Sequence, residues 1–448
     1  MLKLKVATSP PINMIEVPKR KEAAMRKNAK KASKKKELIQ PVLPLREFVR
    51  VQLFDTVVTL GMKQVYEILE EERTALCGPR YRHEEDREAV RSGHARGTLP
   101  MGGRTVVLDR PRVRTADGRR EIPLESWEQF RMADPLTERA VEQMVLGVST
   151  RKYRRSLEPL PLSMETHGTS KSAVSRRFIQ GTQKKLDELL GRDLSALKLV
   201  AIMIDGIHFA GHVVLVALGI DESGCKTVLG LHEGATENSA ACKALLRGII
   251  DRGVSAEYAM LFIIDGGKGL KKAITDIWGL LALIQRCQLH KQRNVEEHLP
   301  PSMQAMVRQT MRQAYRIRDV KKAKRLLKNL AARIEDQHPG AAASLNEGLD
   351  ETLTVMGLGL PETLETMLSV TNAIENLFGL VRVVSRRVKY WSGGKMILRW
   401  SAAGLLEAEK GFRRIRGYKG IPMLVIALRN HEEKAGLDRQ IDVMRETA

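Results

Sequence analysis

Two apolar runs, Leu199 to Ile204 and Met260 to Ile264, each close on an Asp-Gly pair: Asp205-Gly206 and Asp265-Gly266. Each run is short and continuous, the pattern of a strand buried on both faces. A carboxylate at the end of such a strand is costly unless something pairs with it. Two of them in one sheet would also repel each other. A divalent cation, which takes hard oxygen ligands, relieves both penalties. Paired carboxylates holding two metals about 3.5–4 Å apart are the apparatus for in-line attack on a phosphodiester. The feature therefore points to a buried sheet that gathers acids at one end, and to an enzyme that cuts or joins nucleic acid.

At 448 residues the chain exceeds what one compact core supports, so roughly two to four domains are expected. The formal net charge is +22, from 75 Lys+Arg against 53 Asp+Glu. Such an excess implies a polyanionic partner, DNA or RNA first, with a well-solvated basic surface as the alternative. No apolar stretch approaches the about 20 residues of a membrane span. No charged n-region followed by an apolar h-region opens the chain. Cys77, Cys225, Cys242 and Cys287 are scattered, which predicts a reduced, cytoplasmic protein without structural disulfides.

The first 40 or so residues carry about a dozen Lys and Arg and read as a basic flexible arm, 1–44. From Leu45 to about Glu72, apolar residues recur at helical spacing. The stretch Arg104–Leu108, then Pro111–Arg114 and a turn at Thr115–Gly118, predicts a small basic β-ribbon, completing a region 45–130. A helix-turn-helix candidate occupies 131–192: a first helix Leu136–Leu146, a turn Gly147–Thr150, and a recognition helix within Gly168–Phe178. Lys171, Ser172, Ser175, Arg176 and Arg177 would face DNA there, while Ala173, Val174 and Phe178 pack inward. An ordinary surface helix reads the same way.

Between 197 and 290 the order is β, β, β, α, β, α, β, with strands at 197–205, 211–220, 226–232, 258–265 and about 282–288. Short hairpin spacings make the first three antiparallel, and helical crossovers make the last two parallel. The fold class is mixed α/β, and this order matches a ribonuclease-H-like sheet, in which the first and fourth strands are neighbours. Asp205 and Asp265 would then lie side by side. The catalytic domain is placed at 193–295 and 369–400, an all-α insertion at 296–368, and a helical C-terminal region at 401–448. Another helix opens at Thr371–Phe378 with Glu375 in its first turns, and its later residues are basic: Arg382, Arg386, Arg387 and Lys389.

Ile204-Asp205-Gly206, Ile264-Asp265-Gly266, Cys287-Gln288-Leu289-His290 and Thr371-Asn372-Ala373-Ile374-Glu375 occur in the order seen in bacterial Mutator-type transposases, the IS256 family. Thr105 to Arg114, Lys395 to Trp400 and Phe412-Arg413-Arg414 extend the resemblance over roughly 45–430. It implies a DDE transposase that binds the terminal inverted repeats of an insertion sequence. Asp205, Asp265 and Glu375 would hold two Mg²⁺ ions, with Mn²⁺ able to substitute. Metal-dependent 3′-end cleavage and strand transfer would follow, by a homodimer or higher oligomer on double-stranded DNA in the cytoplasm, associated with the nucleoid. The family's helical insertion agrees with the long interval between Asp265 and Glu375.

Cys287 and His290 resemble the family's Cys-x2-His signature. A zinc site needs two further ligands, and no second pair lies near in sequence. His290 is expected beside the active site, contacting the scissile phosphate or positioning an acid; a buried Cys with a packing His is the alternative. Trp391 and Trp400 flank Lys395 and Arg399. Together with Arg386, Arg387 and Lys389 they form a DNA-binding candidate in which aromatics stack on unpaired bases, or else a packed C-terminal helix. His208 and His212 fall on strand and hairpin rather than on one helix face, so no metal pair is expected. A non-catalytic DNA-binding protein on a transposase scaffold, or a stand-alone nuclease, are the competing functions.

Overall fold

The computed structural model describes residues 45–82, 87–132, 135–158, 160–161, 164–209, 211–234 and 238–446. The basic arm expected at 1–44 lies outside the described residues. Helix α1 (Leu45–Cys77) is followed by β1 (Ala89–Met101) and β2 (Arg104–Thr115), which pair antiparallel from Met101↔Arg104 outward. Gly102 and Gly103 join them at φ 55° and 82°, the backbone a two-residue hairpin turn needs. Pro111 sits inside β2 opposite His94, beside an irregularity in register between Arg91 and His94. A proline that cannot donate to the ladder is tolerated at such a bulge. The ribbon is thus longer than its sequence pattern, which Pro111 interrupts. Its buried face, with Leu99, Leu108 and Val113, packs on Val58, Met62 and Leu69 of α1 and on Trp127.

Next come β3 (Glu121–Ile122), α2 (Glu125–Met132), α3 (Pro135–Val145), β4 (Thr166–His167) and α4 (Lys171–Gly191). Ser170 caps α4 by accepting from Ala173 N. α3 and α4 pack closely enough that a Cβ on Gly181 would strike Val141 and Thr137. The second helix starts well after the expected turn at 147–150. Residues 146–170 separate the two, and they hold a 3-10 turn at Tyr153–Ser156 and the strand β4, which pairs with β2. A compact helix-turn-helix joins its helices in three or four residues, whereas here the two lie on either side of this longer segment. Tyr153 explains the detour: it is fully buried and donates its hydroxyl to Gly103 O at the ribbon's turn, 2.9 Å.

The central sheet has β5 (Leu199–Phe209), β6 (His212–Asp221), β7 (Lys226–Gly234), β8 (Met260–Ile264) and β9 (Ala282–Arg286) in the order β7-β6-β5-β8-β9. β5, β6 and β7 form an antiparallel meander, and β5, β8 and β9 are parallel. Helices α5 (Ser239–Ile250) and α6 (Lys268–Trp278) cover one face. From Ala201 and Met260 onward the faces alternate. Ile202, Ile204, Phe262 and Ile264 point to α5 and α6, while Ala201, Met203, Leu261 and Ile263 enter the opposite core. Each such burial stabilises by roughly 1.5–3 kcal/mol for a Leu or Ile. That opposite core is closed by α12 (Glu362–Leu368), α13 (Asn372–Ser385), α14 (Gly394–Glu409) and α15 (Ile421–Glu446).

Between β9 and α12 the chain is helical: α7 (Gln288–Glu297), α8 (Pro301–Arg316), α9 (Val320–Glu335), α10 (Pro339–Asn346) and the short α11 (Thr354–Gly357). Val295, Val307, Met311, Leu327, Leu330 and Leu345 form a separate core. Leu360, Leu364 and Leu368 instead join the core of the sheet.

Candidate active site

The sheet's parity decides where the acids point. Asp205 and Asp265 continue the alternation that sends Met203 and Ile263 toward the face covered by α13, the helix that carries Glu375. β5 and β8 are in parallel register up to Ile204↔Ile264, so the two aspartates follow neighbouring residues. Asp205 does not close its strand, as its sequence suggested. It pairs with Val216, and β5 continues with β6 as far as Phe209↔His212. The antiparallel partner keeps the ladder going where the parallel partner has stopped.

Each acid is set by its own local device. Asp205 Oδ1 accepts from Gly206 N, 2.8 Å. Asp265 is followed by Gly266 at φ 112°, where a Cβ would collide with the Arg286 guanidinium. Arg286 donates to Gly266 O, 2.7 Å, and to Glu347 O, 2.9 Å, tying the Asp265 turn to the helical insertion. Glu375 lies in the first turn of α13, and its N–H donates to Thr371 O, 3.0 Å.

Cys287 and His290 join these pieces. Cys287 N donates to Ile264 O, 2.8 Å, at the residue before Asp265. Its buried sulfur accepts from Thr371 N, 3.4 Å, and from Thr371 Oγ1, 3.3 Å. His290, in the first turn of α7, places Nδ1 3.1 Å from Asp265 Oδ1 and Nε2 3.0 Å from Glu375 Oε1. Its hydrogen bond with Cys287 and the negative charge of Cys287, Asp265 and Asp205 outweigh burial and raise its pKa to about 9. Burial alone would lift the Cys287 thiol, but hydrogen bonds from His290 and Thr371 bring it below the usual range. Arg293, one turn further along α7, donates from Nη1 to Glu375 Oε1, 3.5 Å.

Asp205, His208, Asp265, His290, Arg293, Glu375 and Arg382 line one polar pocket of about 500 Å³. Asp265 Oδ1 is buried without a hydrogen-bond partner, its 3.1 Å approach to His290 being an ion pair. Three carboxylates with one such oxygen are a hard-oxygen donor set that suits Mg²⁺ or Mn²⁺ in kind. Among the described residues no three His, Cys, Asp or Glu side chains stand ready at ligating distance, and the His290 ring lies between Asp265 and Glu375. His212 is drawn off to Glu233, with Nδ1 2.5 Å from Oε1, on the neighbouring strands.

The DNA-binding candidates fall into two groups. Lys171, Ser172 and Arg176 are exposed on α4, Ser175 is half-buried, and Arg177 is held by its bond to Gly168 O, 2.6 Å. Arg386, Arg387, Lys389 and Lys395 are exposed between and on α13 and α14, and Arg399 is half-buried. Trp400 is core: it is 8% exposed and its ring centroid lies 4.6 Å from that of Phe178. Trp391 is half-buried, with centroids 5.1 Å from Phe209 and 6.4 Å from Trp400. These four rings link α4 to the end of β5. Thr371, Arg286, Arg293 and Arg382 carried no assigned role in the sequence. The available signals were Thr371 at the cap position before α13, and basic residues adjoining the Cys-x2-His motif.

The profile of the family described as "Transposase, Mutator family" matches residues 33–414. The chain is 30% identical over 249 residues, 54% of this chain and 75% of its relative, to the transposase for insertion sequence element IS6120 of Mycolicibacterium smegmatis. It is 27% identical over 358 residues, 79% of this chain and 87% of the relative, to the ISRM5 transposase of Rhizobium meliloti. To the transposase for IS256 in transposon Tn4001 of Staphylococcus aureus it is 26% identical over 334 residues, 70% of this chain and 80% of the relative. With the expected motifs gathered around one polar pocket and a family match spanning most of its length, the chain belongs to the Mutator family of insertion-sequence transposases.

Proposed function

We propose that this chain binds the terminal inverted repeats of its insertion sequence and performs metal-dependent 3′-end cleavage and strand transfer. The observation that carries the reading is the convergence of Asp205, Asp265 and Glu375 on one pocket from three separate stretches of chain. The strand order β7-β6-β5-β8-β9, with its antiparallel and parallel halves, supports a ribonuclease-H-like catalytic domain.

Asp205, Asp265 and Glu375 are the residues that would hold Mg²⁺ or Mn²⁺, two ions in the full site. Bound cations there supply an activated oxygen nucleophile and neutralise charge on the leaving oxygen. His290 braces the helix-borne Glu375 against the sheet-borne Asp265. Arg293 and Arg382 line the same pocket and would take non-bridging phosphate oxygens. The exposed residues of α4 and the basic stretch after α13 would hold the duplex by its backbone. Joining two element ends requires at least two copies of the chain.

The test is incubation of the purified chain with terminal-repeat DNA and Mg²⁺ or Mn²⁺. Asp205→Asn, Asp265→Asn and Glu375→Gln should each abolish nicking and strand transfer while duplex binding persists. Full activity in any of them would end this reading.

A further inference from the structure

Helix α8 carries no Asp or Glu between Pro301 and Arg316. Arg308, Arg312 and Arg316 recur along it at i, i+4 and i+8, with Gln309 and Gln313 beside them, and these side chains line an open groove of about 760 Å³. Four residues of helix rise about 6 Å, comparable with two steps of about 3.4 Å along one DNA strand. Two of the guanidiniums are held in place. Arg308 grips Glu296 with two bonds, 2.9 and 2.7 Å, and Arg312 Nε donates to Gln292 Oε1, 3.3 Å. Arg316 is exposed at the end of the row.

The row is tied to α7, the helix that carries Arg293. Gln292, which receives Arg312, is the neighbour of Arg293, and Arg293 reaches Glu375. Arg293 and Arg382 line the pocket, and Arg308, Arg312 and Arg316 line the groove along α8. Residues 301–345 hold ten Lys+Arg and three Asp+Glu, so the charge of this part is strongly one-sided. Six of these cations lie on α9, where Lys322 and Lys324 are paired with Asp319 and Asp350 from outside the helix; the arginines of α8 differ in lining one groove.

We infer that the Arg312–Arg316 face of α8 is a phosphate-binding track for the duplex as it leaves the catalytic pocket. This rests on the proposed action on DNA and adds the surface that holds the DNA on one side of the scissile bond. Contact is to the backbone, so it governs affinity and salt dependence rather than sequence preference.

The experiment measures binding of the full chain to duplex oligonucleotides bearing its own element's end, by fluorescence anisotropy over a range of NaCl. The proteins compared are wild type, Arg312→Gln/Arg316→Gln, and Arg325→Gln/Lys328→Gln on α9. The α8 variant should lower the slope of log K against log salt by about 2, near one for each phosphate no longer neutralised. The α9 variant should leave the slope unchanged. Trimming the duplex on one side of the cut should erase the difference between wild type and the α8 variant. An unchanged slope for the α8 variant, with wild type binding normally, would overturn the track alone. A wild-type chain that does not bind DNA would remove the functional reading and the track together. Both variants change exposed or half-exposed side chains, and an unchanged melting temperature verifies that the fold persists.

Discussion

Thr371 donates its hydroxyl to the sulfur of Cys287 across 3.3 Å, and both residues are fully buried. This contact fastens the end of β9, beside Asp265, to the start of the helix that carries Glu375. Thr371→Val removes the donor and should cost on the order of 1 kcal/mol in urea unfolding. Nicking should fall further than that loss of stability explains, because Glu375 is held less firmly relative to Asp265. Thr371→Ser keeps the hydroxyl and should restore most of the rate.

Arg286 is 7% exposed and spans from Gly266 O to Glu347 O. Removing it leaves Gly266 O without this donor and unties the Asp265 turn from Glu347, so Arg286→Met should destabilise by roughly 1–3 kcal/mol. Gly266→Ala should be comparably damaging, since its φ of 112° disfavours a side chain and the Cβ would meet Arg286. Chemical denaturation of both variants checks this, and a loss below about 0.5 kcal/mol, the scale of an ordinary surface change, would contradict it.

Lys291 anchors α7 to the insertion by donating to Ser344 O and Glu347 O, 2.6 Å each. Burial lowers its pKa from 10.5 to about 8. The unfolded chain therefore binds a proton between pH 8 and 10.5 that the folded chain has released. The penalty of burying the charge is fully present below pH 8 and fades as pH rises toward 10.5, so this residue makes stability increase with pH in that window. The difference in unfolding free energy between wild type and Lys291→Met should change only within it. A constant difference from about pH 7 to about pH 11 would contradict the assignment.

The two C-terminal tryptophans should separate by burial. Trp400→Ala should cost about 3–5 kcal/mol, as expected for a core aromatic. Trp391→Ala should cost less, since the ring is half-buried beside Phe209 and Trp400. Equal losses for the two in thermal or urea melts would argue against this placement.

The sheet was legible because its strands are continuous apolar runs, and alternation then dictates which face each residue joins. The placement of Asp205 and Asp265 after neighbouring strand residues followed from that order. Three features were not legible. The extension of β5 beyond Asp205 depends on β6, and no local signal distinguishes a strand that ends from one that keeps a single partner. What fills the interval between α3 and α4 depends on Tyr153 reaching the turn of a distant ribbon. The work of Cys287 depends on Thr371, and a buried thiol beside a helix start announces no partner in sequence. Trp400 illustrates the same limit: aromatics among basic residues look alike whether they pack on Phe178 or face solvent.

The central claim is that Asp205, Asp265 and Glu375 act together as one cation site. Thermal unfolding with and without Mn²⁺ tests it most directly, because an ion bound by the folded state alone raises the melting temperature. Wild type should show a Mn²⁺-dependent rise that Asp205→Asn, Asp265→Asn and Glu375→Gln each remove. A rise of undiminished size in any of the three variants would contradict the account.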